Sequence, residues 1–278
     1  MWYFGTKHWI AASVALFFAM SNTVAAEPAG KFEAFKAGST KIIDHSIWSG
    51  LLKTYVVPGP DGLNRVRYAA FKAQGQPALK SYIKSLEAST VTDLDRPEQF
   101  AFWANLYNAK TIDIVLDHYP VKSIKDISLG GSLKALVTGG PWNAQATIVQ
   151  GQVLSLDDIE HGILRGFFKD PRVHYAVNCA SNGCPNLAAQ ALTGATLDAA
   201  LDAGAKAYIN HPRGVRVEKG AVVASSIYDW FKADFGGSPA GVLAHWRKYA
   251  GPALKQELES VSKISSYDYD WSLNDAKQ

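Results

Sequence analysis

The chain of 278 residues contains only two cysteines and no block of lysine or arginine that stands out. So few cysteines exclude a disulfide-dense scaffold. The charges are nearly balanced, with a formal net charge of +3, which argues against nucleic acid or an anionic membrane as the partner. The sequence has no internal repeat or low-complexity tract, and hydrophobic residues make up 47% of it. Such a composition is typical of a globular protein with a large core.

The sequence also lacks the short motifs of several enzyme classes. It contains no Gly-x-Ser-x-Gly nucleophile elbow, no glycine-rich phosphate loop, no His-Glu-x-x-His and no dinucleotide fingerprint after a strand. The pairs Gly130-Gly131 and Gly139-Gly140 have no phosphate-specific residues around them. We therefore expect no cofactor and no nucleic acid, and the expected partner is an unidentified small molecule or peptide.

The first 26 residues have the pattern of a secretory signal peptide. Lys7 and His8 precede an apolar run over residues 9–20, and small residues follow as far as Ala26. The run is shorter than the roughly 20 residues that a bilayer span needs, which favours cleavage after Ala26 over an uncleaved anchor helix. No second run of that length follows. The sequence thus predicts a periplasmic or secreted protein with no transmembrane segment after cleavage.

Helix and strand signals along the chain do not alternate in the order of a doubly wound sheet. Helices are predicted over residues 77–86, 97–118, 155–168, 196–209 and 226–235 and from residue 239. Hairpins are predicted for residues 146–149 with 153–156 and for 215–217 with 222–224, the second turning at Lys219-Gly220. Residues 66–71 and 173–178 are predicted as further strands. Because strands come in hairpins, we predict an α+β fold: a single compact domain with an antiparallel or mixed sheet packed against several helices.

The chemically reactive residues concentrate between positions 172 and 185, where His174, Cys179 and Cys184 occur together. On a regular strand His174 and Cys179 would face opposite sides, so they can meet only if the strand ends near residue 178 and the loop folds back. Asn182-Gly183 is a turn dipeptide suited to that reversal. A helix beginning at Pro185 would place Cys184 at its electropositive N-terminus, which favours the thiolate.

Three interpretations of the two cysteines are open at this point. The first is a structural disulfide between Cys179 and Cys184, which would contribute about 2 kcal/mol across so short a loop. The second is a Cys179 nucleophile activated by His174. The third is a metal site formed by His174, Cys179 and Cys184, with Glu160 or His161 as a further ligand. The His-x4-Cys-x4-Cys spacing matches no standard zinc pattern, so no metal is predicted.

Polar residues on two predicted helices complete the candidate site. Asn105 and Asn108 are one helical turn apart and share a face, where they either contact substrate or form a buried polar brace. Glu160 lies beside an apolar helix face. It either orients His174 as the third member of a triad or pairs with an arginine such as Arg172.

The order of several motifs along the chain resembles a known family. The motifs are Trp103-Ala104-Asn105-Leu106-Tyr107-Asn108-Ala109, Tyr119-Pro120, Leu156-x-x-Ile159-Glu160-His161, His174-x4-Cys179-Ala180-Ser181-x-x-Cys184-Pro185 and Ser226-x-x-x-Trp230-x-x-x-Asp234-Phe235. Together they resemble the domain-of-unknown-function family numbered five hundred and forty-seven, which has exported bacterial members and plant members and no established activity. The resemblance covers about residues 90 to 237. Residues 27–89 are then a lead-in packed on the domain, and residues 90–278 are the main domain with a C-terminal extension.

The resemblance bears on the two cysteines. Plant members of that family keep a cysteine at the position of Cys179 and often carry serine where Cys184 stands, which implies that a disulfide is not the shared purpose. We therefore predict a cysteine-dependent hydrolase or acyl transferase with papain-like or transglutaminase-like chemistry. The predicted catalytic residues are Cys179, His174 and Glu160, and the predicted substrate-binding residues are Asn105, Asn108 and Ser181. The alternative is a non-catalytic cell-envelope binding or scaffold domain with a structural Cys179–Cys184 disulfide.

Overall fold

The structure, a computed structural model, describes residues 27–129, 139–218 and 221–276. The predicted signal peptide, the Gly130-Gly131 pair and the Lys219-Gly220 turn lie outside the described residues. The helices are α1 (Glu27–Gly30), α2 (Ser46–Tyr55), α3 (Tyr68–Ala70), α4 (Gln76–Glu87), α5 (Arg96–His118), α6 (Asp158–Phe168), α7 (Val173–Ala176), α8 (Leu197–Ile209), α9 (Ile227–Trp230), α10 (Pro239–Tyr249) and α11 (Pro252–Glu259). The strands are β1 (Val56–Pro58), β2 (Asn64–Val66), β3 (Gln145–Val149), β4 (Gln152–Ser155), β5 (Val215–Glu218), β6 (Ala221–Ser225) and β7 (Ser266–Asp268).

The strands form three small sheets, which confirms the predicted α+β class. Antiparallel pairing joins β1 to β2, β3 to β4 and β5 to β6, and β7 adds to β6 in the parallel sense. Both predicted hairpins are present. In the β3–β4 turn Gln150 and Gly151 have φ values of 44° and 79°, the left-handed conformation that a tight hairpin turn requires.

Helix α5 forms the centre of the larger hydrophobic core. Asp95 caps its first turn by accepting a hydrogen bond from the backbone N–H of Glu98, and Pro97 follows in that first turn. Nearly every residue of the helix is buried, as expected for a helix packed on all sides. Helices α4 and α6 pack against it, so the lead-in before residue 90 is part of the same core.

The sequence signals at the start of α6 are confirmed, although the winding of the helix was not predicted. Ser155 and Asp158 form the predicted capping box: Asp158 Oδ2 accepts from the Ser155 N–H at 2.8 Å, and Ser155 Oγ accepts from the Asp158 N–H at 3.0 Å. The helix is of π type over its whole length. π-type winding is rare and is frequently found at functional sites.

A second hydrophobic cluster is built from α8, α10 and the three-stranded sheet, with Tyr208, Tyr228 and Trp246 among its fully buried side chains. Helix α7 lies between the two clusters. Val173 packs into the larger cluster, and Tyr175 packs into the smaller one. The segment that carries His174 is therefore fixed from two sides.

Some predicted elements are wrong. Residues 66–71 are not a strand, because β2 ends at Val66 and the chain then turns helical. Residues 173–178 are not a strand either: the apolar run forms the helical turn α7, and a short apolar run does not distinguish the two. No helix begins at Pro185, and α9 ends at Trp230 rather than at residue 235. None of the described helices has the length and apolar composition needed to cross a membrane.

Candidate functional site

A cleft of about 240 Å³ opens where α5, α6, α7 and the segment after β7 meet. It brings together three of the residues predicted for the site, because Glu160, His174 and Cys179 all line it. Cys184 lines it as well. His174 and Cys179 reach the same cleft because residues 173–176 form the helical turn α7, so the side-chain alternation of a strand does not separate them. The chain reversal comes after Cys179.

His174 forms the buried polar centre of this cleft. Its Nε2 donates a hydrogen bond to Asp234 Oδ2 at 2.7 Å, and its ring stacks on Phe231 with a centroid distance of 4.3 Å. Burial lowers the pKa of His174 and outweighs the hydrogen bond to Asp234, which acts in the opposite direction. The imidazole is therefore neutral near pH 7.

Asp234 is held by two partners. Arg165 on α6 donates from Nε at 2.6 Å and from Nη2 at 3.1 Å, a bidentate pair, while His174 donates from the other side. Burial raises the pKa of this carboxyl, but the hydrogen bonds from His174 and Arg165 hold it well below its usual range. Asp234 thus remains ionised, and it takes the position next to His174 that the sequence suggested for Glu160.

Cys179 and Cys184 are joined by a disulfide, as the structural interpretation of these cysteines predicts. The Cys179 N–H donates to Cys184 Sγ at 2.9 Å, and the Tyr269 hydroxyl lies 3.1 Å from each sulfur. Ser181 Oγ donates to the same hydroxyl at 3.1 Å, so it contacts the disulfide rather than the open cleft. In this form neither sulfur is a thiol, and a nucleophilic Cys179 requires reduction of the bond.

The loop that carries the disulfide reverses the chain in two steps. Ala180 has a left-handed backbone, with φ of 59°, and its N–H donates to Asn178 Oδ1 at 2.9 Å. The predicted Asn182-Gly183 turn follows, closed by the Cys184 N–H to the Ser181 carbonyl at 3.2 Å. A left-handed alanine costs roughly 1–2 kcal/mol, and such residues cluster at functional sites.

Asn105 and Asn108 are buried, and each side-chain amide accepts a hydrogen bond from one backbone N–H and donates one to a backbone carbonyl. Asn105 binds the N–H and carbonyl of Leu192, at 3.0 and 2.8 Å. Asn108 accepts from the Asn178 N–H and donates to the Ala176 carbonyl, both at 2.8 Å. Neither residue lines the cleft. This is the brace that the sequence offered as the alternative to substrate contact, and it positions the loop leading to Cys179.

Glu160 lies in the cleft wall but does not take either of the roles that the sequence suggested. Its carboxylate interacts with the Tyr107 hydroxyl and lies 3.9 Å from His161 Nδ1. Among the described contacts there is no hydrogen bond between Glu160 and His174. The ion pair with Arg172 is also absent there, because Arg172 pairs with Asp170, Asp198 and Asp202 instead.

Aromatic side chains form much of the cleft wall, and none of them was among the predicted site residues. Trp230 is 48% exposed at the rim and stacks on Trp271 with centroids 5.6 Å apart. Tyr269 lies 4.7 Å from Trp271 and touches the disulfide. The alternation of aromatic residues at positions 267, 269 and 271 was an available signal. Within the described ranges no group of three or more His, Cys, Asp or Glu residues has a metal-holding arrangement.

Residues 91–209 match the family described as "Protein of unknown function, DUF547". The match confirms the resemblance predicted from the motifs and includes Glu160, His174 and both cysteines. Asp234, Trp230 and Tyr269 lie C-terminal to the matched residues. No curated protein and no solved structure gives a significant match to the chain.

Proposed function

Starting from a DUF547-family domain of unknown function, we propose that the protein is an exported thiol-dependent hydrolase or acyl transferase. In this proposal Cys179 is the nucleophile, His174 moves the proton and Asp234 orients the His174 ring. The proposal rests on one observation above all: the buried His174, hydrogen-bonded to Asp234 behind it, lines the same cleft as Cys179. Such a pair is the usual means of activating a nucleophile.

The first step is reduction of the disulfide by an external dithiol. Two electrons and two protons pass to the sulfurs, giving two thiols, while the dithiol becomes a disulfide. The Cys179 sulfur lies 3.1 Å from the Tyr269 hydroxyl and 3.4 Å from Ser181 Oγ. Because a hydroxyl donor stabilises an anion, the Tyr269 contact favours the Cys179 thiolate once the disulfide is reduced.

The acyl chemistry follows from the tautomer of His174. Nε2 carries the hydrogen donated to Asp234, so the neutral ring has its basic lone pair on Nδ1, which no described residue hydrogen-bonds. In the proposed step Nδ1 takes the Cys179 proton, and the thiolate attacks a carbonyl carbon to form a thioester. The protonated ring then gives the proton to the leaving group, and water or an acceptor releases the acyl group.

Glu160 is retained in the proposal as a binding residue rather than as the orienting member of the triad. Its carboxylate faces the cleft and contacts Tyr107, whereas Asp234 holds His174. Asn105 and Asn108 are positioning residues. Asn108 fixes the backbone on either side of Val177, and Asn105 fixes the backbone at Leu192.

The test is iodoacetamide labelling of the Cys184→Ser variant, in which no disulfide can form. We expect Cys179 to react faster than a model thiol near neutral pH, because a paired thiol has a pKa below about 8.5. His174→Ala and Asp234→Asn should both slow the labelling, whereas His118→Ala, a change at an exposed histidine, should not. A Cys179 that stays inert, or that ignores the loss of His174, would overturn the proposal.

A second candidate is a non-catalytic cell-envelope binding or scaffold domain. The closed disulfide favours it, because both sulfurs contact Tyr269 and so tie the loop to the C-terminal segment. Under this proposal Cys179 in the Cys184→Ser variant is unreactive, and the variant loses about 2 kcal/mol of unfolding free energy. The labelling experiment therefore separates the two candidates.

A further inference from the structure

We propose that the cleft recognises a positively charged amine group on its ligand, held between aromatic rings and the Glu160 carboxylate. The inference rests on the proposed function only in taking this cleft as the substrate site. The ammonium group is a recognition element and not the reacting atom, since a protonated amine cannot act as a nucleophile. The expected substrates therefore carry a cationic substituent beside the acyl group.

The first argument comes from the cleft wall, which is rich in aromatic rings. The aromatic side chains that line it are Tyr107, Trp142, Trp230, Phe231, Tyr269 and Trp271. Trp271 lies at the centre of this set, with ring centroids 5.7 Å from Trp142, 5.6 Å from Trp230 and 4.7 Å from Tyr269. The faces of tryptophan and tyrosine rings attract cations, and aromatic cages are a common means of binding ammonium groups.

The second argument is the charge of Glu160. Only 8% of this residue is exposed, and the described part of the chain places no lysine or arginine within ion-pair distance of its carboxylate. The Tyr107 hydroxyl supplies a hydrogen bond but no charge. A buried carboxylate without a positive partner is costly, and a cationic ligand group would compensate it. Asp157, a second carboxylate, also lines the cleft.

The basic groups near the cleft form no ion pair with Glu160. Lys125 lies over one face of Trp271, with Nζ 5.1 Å from the ring centroid, and Arg165 lies over Phe231. Arg165 is committed to Asp234, and its Nη1 lies 3.1 Å from His161 Nδ1. An arginine can only donate, so His161 Nδ1 accepts from Arg165 and does not donate to Glu160. The His174 ring is neutral, and its Nε2 donates a hydrogen bond to Asp234. The described residues that line the cleft include no lysine or arginine.

A neutral carbohydrate is the main rival, because sugar rings also stack on aromatic side chains. A neutral ligand would satisfy the aromatic wall but would leave the Glu160 charge without compensation. The carboxylate therefore favours the amine. The two ligand classes differ in charge, and matched probes can separate them.

The experiment measures intrinsic tryptophan fluorescence of the native, disulfide-containing protein at pH 7 and constant ionic strength. The probes are n-butylammonium, its neutral counterpart 1-butanol, and the disaccharide cellobiose. We expect n-butylammonium to bind at least about tenfold more tightly than 1-butanol, the difference that about 1.4 kcal/mol of charge recognition gives. Equal binding of the two, absence of saturable n-butylammonium binding, or tighter binding of cellobiose would overturn the inference.

Two substitutions locate the effect. Glu160→Gln keeps the side-chain shape and removes the charge, so it should abolish the preference for n-butylammonium, whereas Glu257→Gln at an exposed position should preserve it. Trp230→Ala at the exposed rim should weaken n-butylammonium binding, and Trp230→Phe should restore part of it. A preference that survives in folded Glu160→Gln protein, or binding unchanged in Trp230→Ala, would contradict the inference. The titration uses the oxidised protein, which has no thiol, so a failure here is distinct from a failure of Cys179 to label.

Discussion

His174 Nε2 lies 2.7 Å from Asp234 Oδ2, although the two residues are 60 positions apart in the chain. The contact joins α7 to the segment after α9, and Arg165 of α6 binds the same carboxylate. Three separate parts of the chain are therefore fixed at one carboxylate. Removing a group that is hydrogen-bonded to charged or buried partners lowers the free energy of unfolding, because those partners are left without a hydrogen bond.

Asp234→Asn should therefore destabilise the fold as well as affect the site. An amide can still accept one hydrogen bond, but it cannot compensate the Arg165 charge. We expect a loss of roughly 1–3 kcal/mol in the free energy of unfolding, measured by urea denaturation. Asp229→Asn is the matched control, because Asp229 forms an exposed pair with Lys232 and such pairs contribute little. Equal stability of the Asp234→Asn variant and the wild-type protein would show that the carboxylate does not brace these segments.

The two asparagines of α5 support a second prediction. Asn105→Ala and Asn108→Ala each leave a buried N–H and a buried carbonyl without a partner. We expect each change to cost roughly 1–3 kcal/mol of unfolding free energy. Gln256→Ala, an exposed carboxamide on α11, should change it far less. Asn108→Ala should also slow Cys179 labelling in the Cys184→Ser background, because Asn108 holds the Asn178 N–H. Unchanged melting temperatures in both variants would contradict the bracing role.

Local signals in the sequence predicted much of the fold. Asp95 with Pro97, the Ser155–Asp158 capping box and Ser238-Pro239 each begin the helix that they predict, because a cap and its helix are neighbours in sequence. The Asn182-Gly183 turn is also local. By contrast, the apolar run over residues 173–178 fits a strand and a buried helical turn equally well, and packing between two core clusters decided the outcome.

The site was predictable only in part. Glu160, His174 and Cys179 share one cleft, but not by the predicted route: residues 173–176 form a helical turn instead of a strand, and the chain reversal at residues 180–183 follows Cys179. The partner of His174 was assigned to Glu160, since nothing in the sequence relates position 174 to position 234. Tyr269 and Trp271 reach the cleft because the C-terminal segment pairs with the disulfide loop, with the Asn182 N–H bonded to the Ser272 carbonyl at 2.9 Å. The alternating aromatic residues at positions 267, 269 and 271 are a pattern within the C-terminal segment, but nothing in the sequence relates that segment to the disulfide loop.

The N-terminal pattern supports a third prediction, about processing. The small residues before position 27 match a signal-peptidase site, so the mature protein from the native host should begin near Glu27. N-terminal sequencing of the folded protein provides the measurement. A variant with Ala26→Leu should be cleaved poorly, because the peptidase requires a small residue immediately before the cleavage site. Recovery of folded protein with Met1 intact would show that the segment is retained.

Three histidines support a fourth prediction, on stability at acidic pH: His45 and His174 are buried, and His245 is half-buried. Burial lowers the pKa of His45, His174 and His245, and that of His245 falls from 6.5 to about 4. Between about pH 4 and 6.5 the unfolded chain therefore binds protons on these histidines that the folded chain does not bind. Stability rises with pH wherever the unfolded state holds more protons, so the free energy of unfolding should fall as the pH is lowered through this window.

For His245 alone the expected slope is up to about 1.4 kcal/mol per pH unit. Asp234 contributes in the same direction but only below about pH 5, because its pKa is lowered from 3.8, so the slope between about pH 5 and 6.5 reports on the histidines. Urea denaturation at several pH values and constant ionic strength measures the slope. His245→Gln should reduce the slope, because glutamine does not titrate. The glutamine amide can replace the ring as hydrogen-bond partner of the Tyr175 hydroxyl, which lies 2.8 Å from His245 Nε2. A slope that is flat in the wild-type protein, or that is the same in His245→Gln, would show that His245 is not buried as a neutral ring.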